Sequence, residues 1–414
     1  MRSPQTPTAV ALKSRLRPLF IAVFLQGFLL WLPVEKLFMN QIGFTPVSVG
    51  VMAAAYAAVT PLLEVPSGVL ADRWSRRGVL ILSALALLLA SLVGGLSESV
   101  ATYIVSAMIL GVYFALYSGV SESVVYDLVL EVTGTGEGYP RYLGRVRLLE
   151  GAALVVSSLV GGWLAGLLGS RMTYFITLPF ALLAIVAYAR LQEPGLFRAG
   201  VREPLRAHLA LTFRTITGRD VVLPIVILGA LTAMLAQLIY EFGPLWLVAM
   251  AAPAVVFGPY WAGLMSTIGL GGVIAGRVRL DRPVVSVGLV SVLVLASALL
   301  SVQTALAVVI PAQIVVALLL AIAGIHVSAM LHDAIPSAIR AGVASGMSTI
   351  SWIGFLPFAL GFGWVTGTFG TRVSGWLITG TAMIAGSLLI RLSLRRPEKS
   401  DFSRPTHNPE RQLA

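Results

Sequence analysis

Residues 68–77 read GVLADRWSRR, and the rest of the chain is understood from what this stretch separates. Gly68, Asp72, Arg73, Arg76 and Arg77 stand between two long apolar runs in a chain of 414 residues that is 57% hydrophobic and only 11% charged. So few charges cannot cover a soluble surface. The runs therefore read as membrane spans, each needing roughly 20 mostly apolar residues. A short, polar connector pinned between two such spans is the place for a hinge or a gate.

Outward from this stretch, hydropathy places six spans between residues 18 and 190 and six between 221 and 394. The first, 18–39, is too long for a signal-peptide core and ends in WLPVEKLFMN rather than a small-residue cleavage site, so it reads as a retained helix. The fourth, 100–130, reads as one continuous helix. Residues 1–17 form an N-terminal segment, 191–220 a linker between two bundles (18–190 and 221–394), and 395–414 a polar, disordered tail. In the linker, Leu205, Leu209, Phe213 and Ile216 share one face after Pro204. Two readings fit equally: an amphipathic helix on the membrane surface, or an ordinary basic connector.

The net charge of +11 comes from Lys and Arg scattered through short connections, a topology signal rather than a nucleic-acid groove. All of the 29 basic residues except Lys36, Arg171 and Arg372 fall on one side of this arrangement. That asymmetry predicts a multi-pass protein of the inner (cytoplasmic) membrane with both termini in the cytoplasm. The chain has no cysteine, which excludes a disulfide framework and thiolate metal sites.

The halves repeat. Trp163, Gly166, Gly169 and Arg171 recur 201 residues later as Trp364, Gly367, Gly370 and Arg372, and GVLADR at 68–73 recurs as GVIAGR at 272–277. Parallel repeats of six helices are one of the symmetries on which transporters are built.

The 68–77 stretch resembles the GxLaDRxGRR loop that joins helices 2 and 3 in the major facilitator superfamily of secondary transporters, with Ser75 where the family usually has Gly. The resemblance implies an all-α membrane protein whose 12 transmembrane helices form two pseudo-symmetric six-helix bundles, with helices 1, 4, 7 and 10 lining a central cavity. It also implies a gating latch of Gly68, Asp72, Arg73, Arg76, Arg77 and Asp127, in which one of the three arginines pairs with Asp127 at the inner end of helix 4. Two family signatures are not met: residues 101–130 hold no arginine, and Ser157 and Ser158 stand where exporters carry Gly-Pro ahead of a glycine pair.

A charge at the bilayer centre costs at least ~2.5 kcal/mol, so each intramembrane acid asks for a partner, a wet cavity or a function. Glu35 and Glu241 lie at matching depths in helices 1 and 7, and Lys36 reads as a side chain snorkelling to the outer surface. Phe242, Gly243 and Pro244 predict a break beside Glu241. Glu122 and His326 occupy matching positions in helices 4 and 10, and the resemblance implies that both face the cavity. His326 has two readings, a proton carrier or an interhelical hydrogen bond. Glu150 reads as a partner of Arg145 or Arg147, and Trp31 and Tyr240 add aromatic area suited to cationic compounds.

These residues lead to a proton-driven exporter of small amphiphilic or cationic molecules, acting as a monomer by alternating access. Its partners are a small-molecule substrate and the lipid bilayer. No cofactor is expected, the proton gradient supplying the energy, and no metal-ligand spacing or catalytic constellation points to an enzyme. A proton-linked importer of a polar metabolite and a transporter-like sensor that moves nothing are the alternatives.

Overall fold

The computed structural model describes residues 7–135, 138–193, 222–280, 282–302, 304–334 and 340–394. The expected linker from residue 194 onward, the tail 395–414 and the side chain of Asp72 lie outside the described residues.

The described residues are helical throughout their long elements. The first half holds α1 (Pro7–Gln26), a 3-10 turn (Leu32–Val34), α2 (Glu35–Gln41), α3 (Pro46–Arg73), α4 (Arg76–Leu96), α5 (Val100–Tyr117), α6 (Val120–Thr133), α7 (Tyr139–Leu168) and α8 (Ser170–Ala189). The second holds α9 (Val222–Phe242), α10 (Pro244–Ala249), α11 (Ala254–Ala275), α12 (Pro283–Val302), α13 (Leu306–Ala334), α14 (Arg340–Phe369) and α15 (Thr371–Leu394). Among the described residues, 11 segments are long and apolar enough to cross a membrane, counting α5 with α6 and α9 with α10 as one each. The first apolar run, divided between α1 and α2, fits as the twelfth. We call the end where α1 begins proximal and the opposite end distal.

Helix starts follow local chemistry. At the distal end Thr45 and Ser48 form a reciprocal capping box ahead of Pro46, and Ser99 and Thr102 do the same for α5. Two expected spans are not continuous. The first breaks between Gln26 and Leu32, and the fourth breaks at Ser118 and Gly119, where Gly119 adopts φ +72. The broken backbone of the first is answered by side chains: Ser157 donates to the Gly27 carbonyl at 3.1 Å, and Thr177 accepts from the Leu30 amide at 3.2 Å. In addition, α1 begins at Pro7, ahead of the expected start of the bundle at residue 18.

The internal repeat is visible in the backbone. Gly169 and Gly370 take φ +87 and +85 at equivalent helix junctions, and Trp163 and Trp364 are 58% and 56% exposed. The halves meet along α3 against α14 and α7 against α11. A Cβ added at Gly162 of α7 would lie 2.6 Å from the Gly258 Cα of α11, and one at Gly363 of α14 would lie 2.9 Å from the Gly50 Cα of α3. Gly162 and Gly363 are themselves repeat equivalents, so one backbone-on-backbone seam is used twice near the distal end.

The buried apolar side chains divide accordingly. One cluster runs through the second half and continues into the distal part of the first, through Trp31, Phe38, Tyr103 and Tyr174. The other, including Leu16, Val23, Val124, Leu128 and Tyr188, belongs to the proximal part of the first half alone.

Candidate functional site

The two breaks in helices 1 and 7 place charge at the distal closure. Pro33 and the 3-10 turn end the irregular stretch after α1, and α2 then starts with Glu35 and Lys36. In the second half, Gly243 and Pro244 end α9 one residue after Glu241, as their backbone chemistry predicts. The carbonyl freed at Gly243 accepts from Gln313 Nε2 at 3.2 Å.

Lys36 is 2% exposed. Its ammonium donates to Glu35 Oε2 at 2.7 Å and to Glu241 Oε1 at 2.5 Å. The expectation that Lys36 snorkels to the surface is therefore corrected. α2 packs on α10, and the partner that holds the ammonium inward comes from the other half, 205 residues away. Tyr103 donates to Glu35 Oε1 at 2.9 Å, and its hydroxyl also lies 2.6 Å from that of Tyr174. Trp31 stacks on Tyr174 with ring centroids 5.1 Å apart and donates to Ser91 Oγ at 3.1 Å, so it backs the cluster from within the first half.

Aromatic rings from both halves lie near this charge. Tyr240 stacks on Trp261 with centroids 6.5 Å apart. Tyr56 of α3 meets Phe114 edge-on at 5.8 Å and, across the halves, Trp352 of α14 at 5.9 Å. A carboxylate beside aromatic faces suits an organic cation.

The proximal cluster is built differently. Residues 68–73 are the end of α3 rather than a loop, and only Trp74 and Ser75 connect it to α4. Ser75 has φ −169, an extended conformation open to any residue, so this connection does not need the glycine that the family usually carries. Its hydroxyl caps α4 by accepting from the Gly78 amide at 2.8 Å and donates to Glu193 Oε2 at 3.1 Å. Gly78 leaves room for the Trp74 ring, which lies 2.7 Å from where a Cβ would stand.

Of the three arginines near this connection, Arg76 pairs with Asp127 and also donates to the Ser123 carbonyl at 3.1 Å, while Arg73 and Arg77 are exposed. Glu131 accepts from Arg15 at 2.7 Å. Arg147 bridges Glu122 and Glu150, the second at 2.9 Å, and Glu150 also accepts from the Tyr117 hydroxyl. Each acid on α6, Glu122, Asp127 and Glu131, is thus held by an arginine of α7, α4 or α1.

His326 lies apart from both clusters. Its Nδ1 is 3.0 Å from the Ile322 carbonyl and its Nε2 is 2.8 Å from that of Val278, so the ring ties α13 to the segment after α11. The bridging role of Lys36 and the support from Tyr103 and Tyr174 were missed by sequence reasoning. The equal depths of Glu35 and Glu241 were the available signal: two acids facing each other across the halves need a cation between them.

A family model for the Major Facilitator Superfamily matches residues 19–358. The multidrug transporter protein MdtP of Bacillus subtilis (strain 168) is 24% identical over 167 residues, 40% of this chain but only 29% of that protein's length. Among solved structures, the nucleoside transporter NupG superposes with a TM-score of 0.76 at 14% identity, covering 93% of this chain and 100% of that one. A bacterial homolog of the human lysosomal transporter Spinster, in an inward-facing and occupied conformation, gives 0.74 at 14% identity, covering 94% and 98%. The D-xylose-proton symporter gives 0.68 at 12% identity, covering 92% and 97%. By the family match along most of its length, with an all-helical fold in agreement, this chain belongs to the Major Facilitator Superfamily and is a membrane transporter rather than an enzyme.

Proposed function

We propose that the protein is a proton-coupled exporter of small cationic or amphiphilic compounds, working by alternating access in the inner membrane with both termini in the cytoplasm. The observation that carries this reading is the ammonium of Lys36 buried between a carboxylate of its own half and one of the other. With both carboxylates ionised the cluster holds one negative charge in excess, which is costly away from water. A proton or a cationic group balances it.

Lys36 and Glu241 sit on different halves, so opening the distal end pulls them apart. Glu241 then needs a new positive charge, and a proton entering from the distal side supplies one. On the return, a substrate cation entering from the proximal side displaces that proton. Exchange of one for the other follows from charge balance at a single carboxylate, with no bound cofactor. The multidrug relative supports export, and a single chain with both halves is enough for the cycle.

The second reading is a proton-linked importer of a polar metabolite. It is favoured by Ser157, which holds the Gly27 carbonyl at a place where the exporter pattern differs. Proteoliposomes with an imposed pH gradient distinguish the two. Cation-triggered proton movement opposite to the compound supports export. Movement in the same direction, triggered by neutral polar compounds, supports import.

A further inference from the structure

A cavity of about 480 Å³ opens at the proximal end of the first half, between the early turns of α1 and of α7. That volume falls within the roughly 300–1,000 Å³ of small-molecule sites. Lys13, Ser14, Arg17 and Phe20 of α1 line one side and Arg145 of α7 the other. Among the described residues that line it, three are cationic and none is acidic.

Neighbouring cations on the same two helices are neutralised, since Arg15 donates to Glu131 and Arg147 bridges Glu122 and Glu150. The set that lines the cavity is arranged otherwise. Lys13 and Arg17 stand four residues apart on one helix face, a spacing at which like charges repel. Lys13 and Arg145 are half-buried, and the Arg145 guanidinium lies over the Tyr142 ring, 5.2 Å from its centroid, so its charge rests on an aromatic face rather than on a carboxylate. Three positive groups around one partly enclosed space repel each other, and an anion between them removes that cost. Guanidinium forks match phosphate oxygens in pairs, and the Ser14 hydroxyl adds a further donor.

The surface beyond the cavity is apolar. Ile21, one turn past Arg17, is 43% exposed, and Leu148, one turn past Arg145, is 69% exposed. A phosphate carried on an apolar chain fits both parts, and basic pockets between spanning helices are places where anionic headgroups bind.

We propose that this cavity is a binding site for a phosphate group, held by Lys13 and Arg17 from one side and Arg145 from the other. Its source is an anionic lipid headgroup or a phosphate ion from water. The bound group joins α1 to α7 and adds to the arginine brace already within the first half. The site does not depend on which compound the protein transports.

The full chain is tested in detergent, with lipid binding counted by native mass spectrometry as phosphatidylglycerol or phosphatidylcholine of identical chains is titrated in. Inorganic phosphate is titrated in parallel against chloride at equal ionic strength, with the thermal midpoint as readout. Phosphatidylglycerol should bind the wild type more tightly than phosphatidylcholine, and Arg17→Gln and Arg145→Gln should each weaken it about fivefold. Arg141→Gln, at an exposed cation of α7 outside the cavity, should change it less than twofold. Arg17 is exposed, so its variant reads the site even where Arg145→Gln lowers stability. A rise in midpoint with phosphate that Arg17→Gln abolishes assigns the site to phosphate from water as well. No such rise, with the phosphatidylglycerol effect intact, assigns it to the headgroup. Equal weakening by Arg141→Gln and Arg17→Gln would reduce the effect to general surface charge and overturn the site, as would no preference for phosphatidylglycerol together with no rise with phosphate.

Discussion

At the distal end charge crosses between the halves, whereas the proximal ion pairs seen among the described residues stay within the first half. Lys36 joins Glu35 to Glu241 from opposite bundles, amid a core that is continuous through both. The proximal pairs described here, Arg15 with Glu131, Arg76 with Asp127 and Arg147 with Glu122 and Glu150, all join elements of the first half. The core beneath them also belongs to that half alone. One end is a lock between two bodies, and the other is a brace within one. The difference fits a transporter closed distally; in the proposed cycle, opening breaks the lock while the brace keeps α6 in place.

The comparison breaks most directly at Glu241. Glu241→Gln is expected to reduce proton-driven transport to background, because an amide can neither hold a proton for exchange nor balance Lys36. Transport against a gradient that survives in this variant removes Glu241 from the coupling. Lys36→Ala leaves two carboxylates buried together, and loss of one partner of a buried pair costs about 3–5 kcal/mol. Its thermal midpoint should fall clearly below that of wild type.

Next comes the glycine seam. Gly162→Leu and Gly363→Leu each force side-chain volume into a backbone contact, a strain of about 1–3 kcal/mol or more. Because the sites are repeat equivalents, both should weaken distal closure and slow transport by a similar factor, on the order of tenfold. Unequal effects would show that the two seams do different work.

Asp127→Asn should lower the transport rate several-fold while thermal stability shifts by about 1 kcal/mol or less, as for a partly exposed ion pair. Asp333→Asn, an exposed acid 206 residues later in α13, should change neither. Equal losses at both would erase the asymmetry between the halves. The smallest effect belongs to His326→Gln. An amide can still donate to one of the two carbonyls, so the transport rate should stay within about twofold of wild type, as for one modest hydrogen bond. A collapse of coupling there would restore His326 as a proton carrier.

The helical architecture was legible in the sequence, because apolar length can be read from single segments and the motifs of one half recur at nearly one offset in the other, 201 and 204 residues later. The end of α9 was legible for the same reason: Gly243 and Pro244 cannot continue a helix with full hydrogen bonding. The split of α5 from α6 was not, since Gly119 is one small residue in an apolar run and such glycines are common inside spanning helices. Nor was the extension of α3 through Arg73, where charged side chains suggested a loop although they sit on a regular helix. The burial of Lys36 was hidden because a lysine near a helix end reads as solvated. Its fate is decided by Glu241, a residue that only the packing of the halves brings near.

In the proposed cycle, a positive charge arriving at Glu241 goes with release of the distal lock. The chain has no native cysteine, so spin labels can be placed at Glu98→Cys and Ala305→Cys, in exposed distal connections of opposite halves. The distance distribution between them is then measured as pH is lowered, in wild type and in Glu241→Gln. Acid is expected to shift the wild type toward longer distances, and the variant to lie at the longer distance at every pH. A variant that keeps the short distance and responds to pH as wild type does would contradict that cycle.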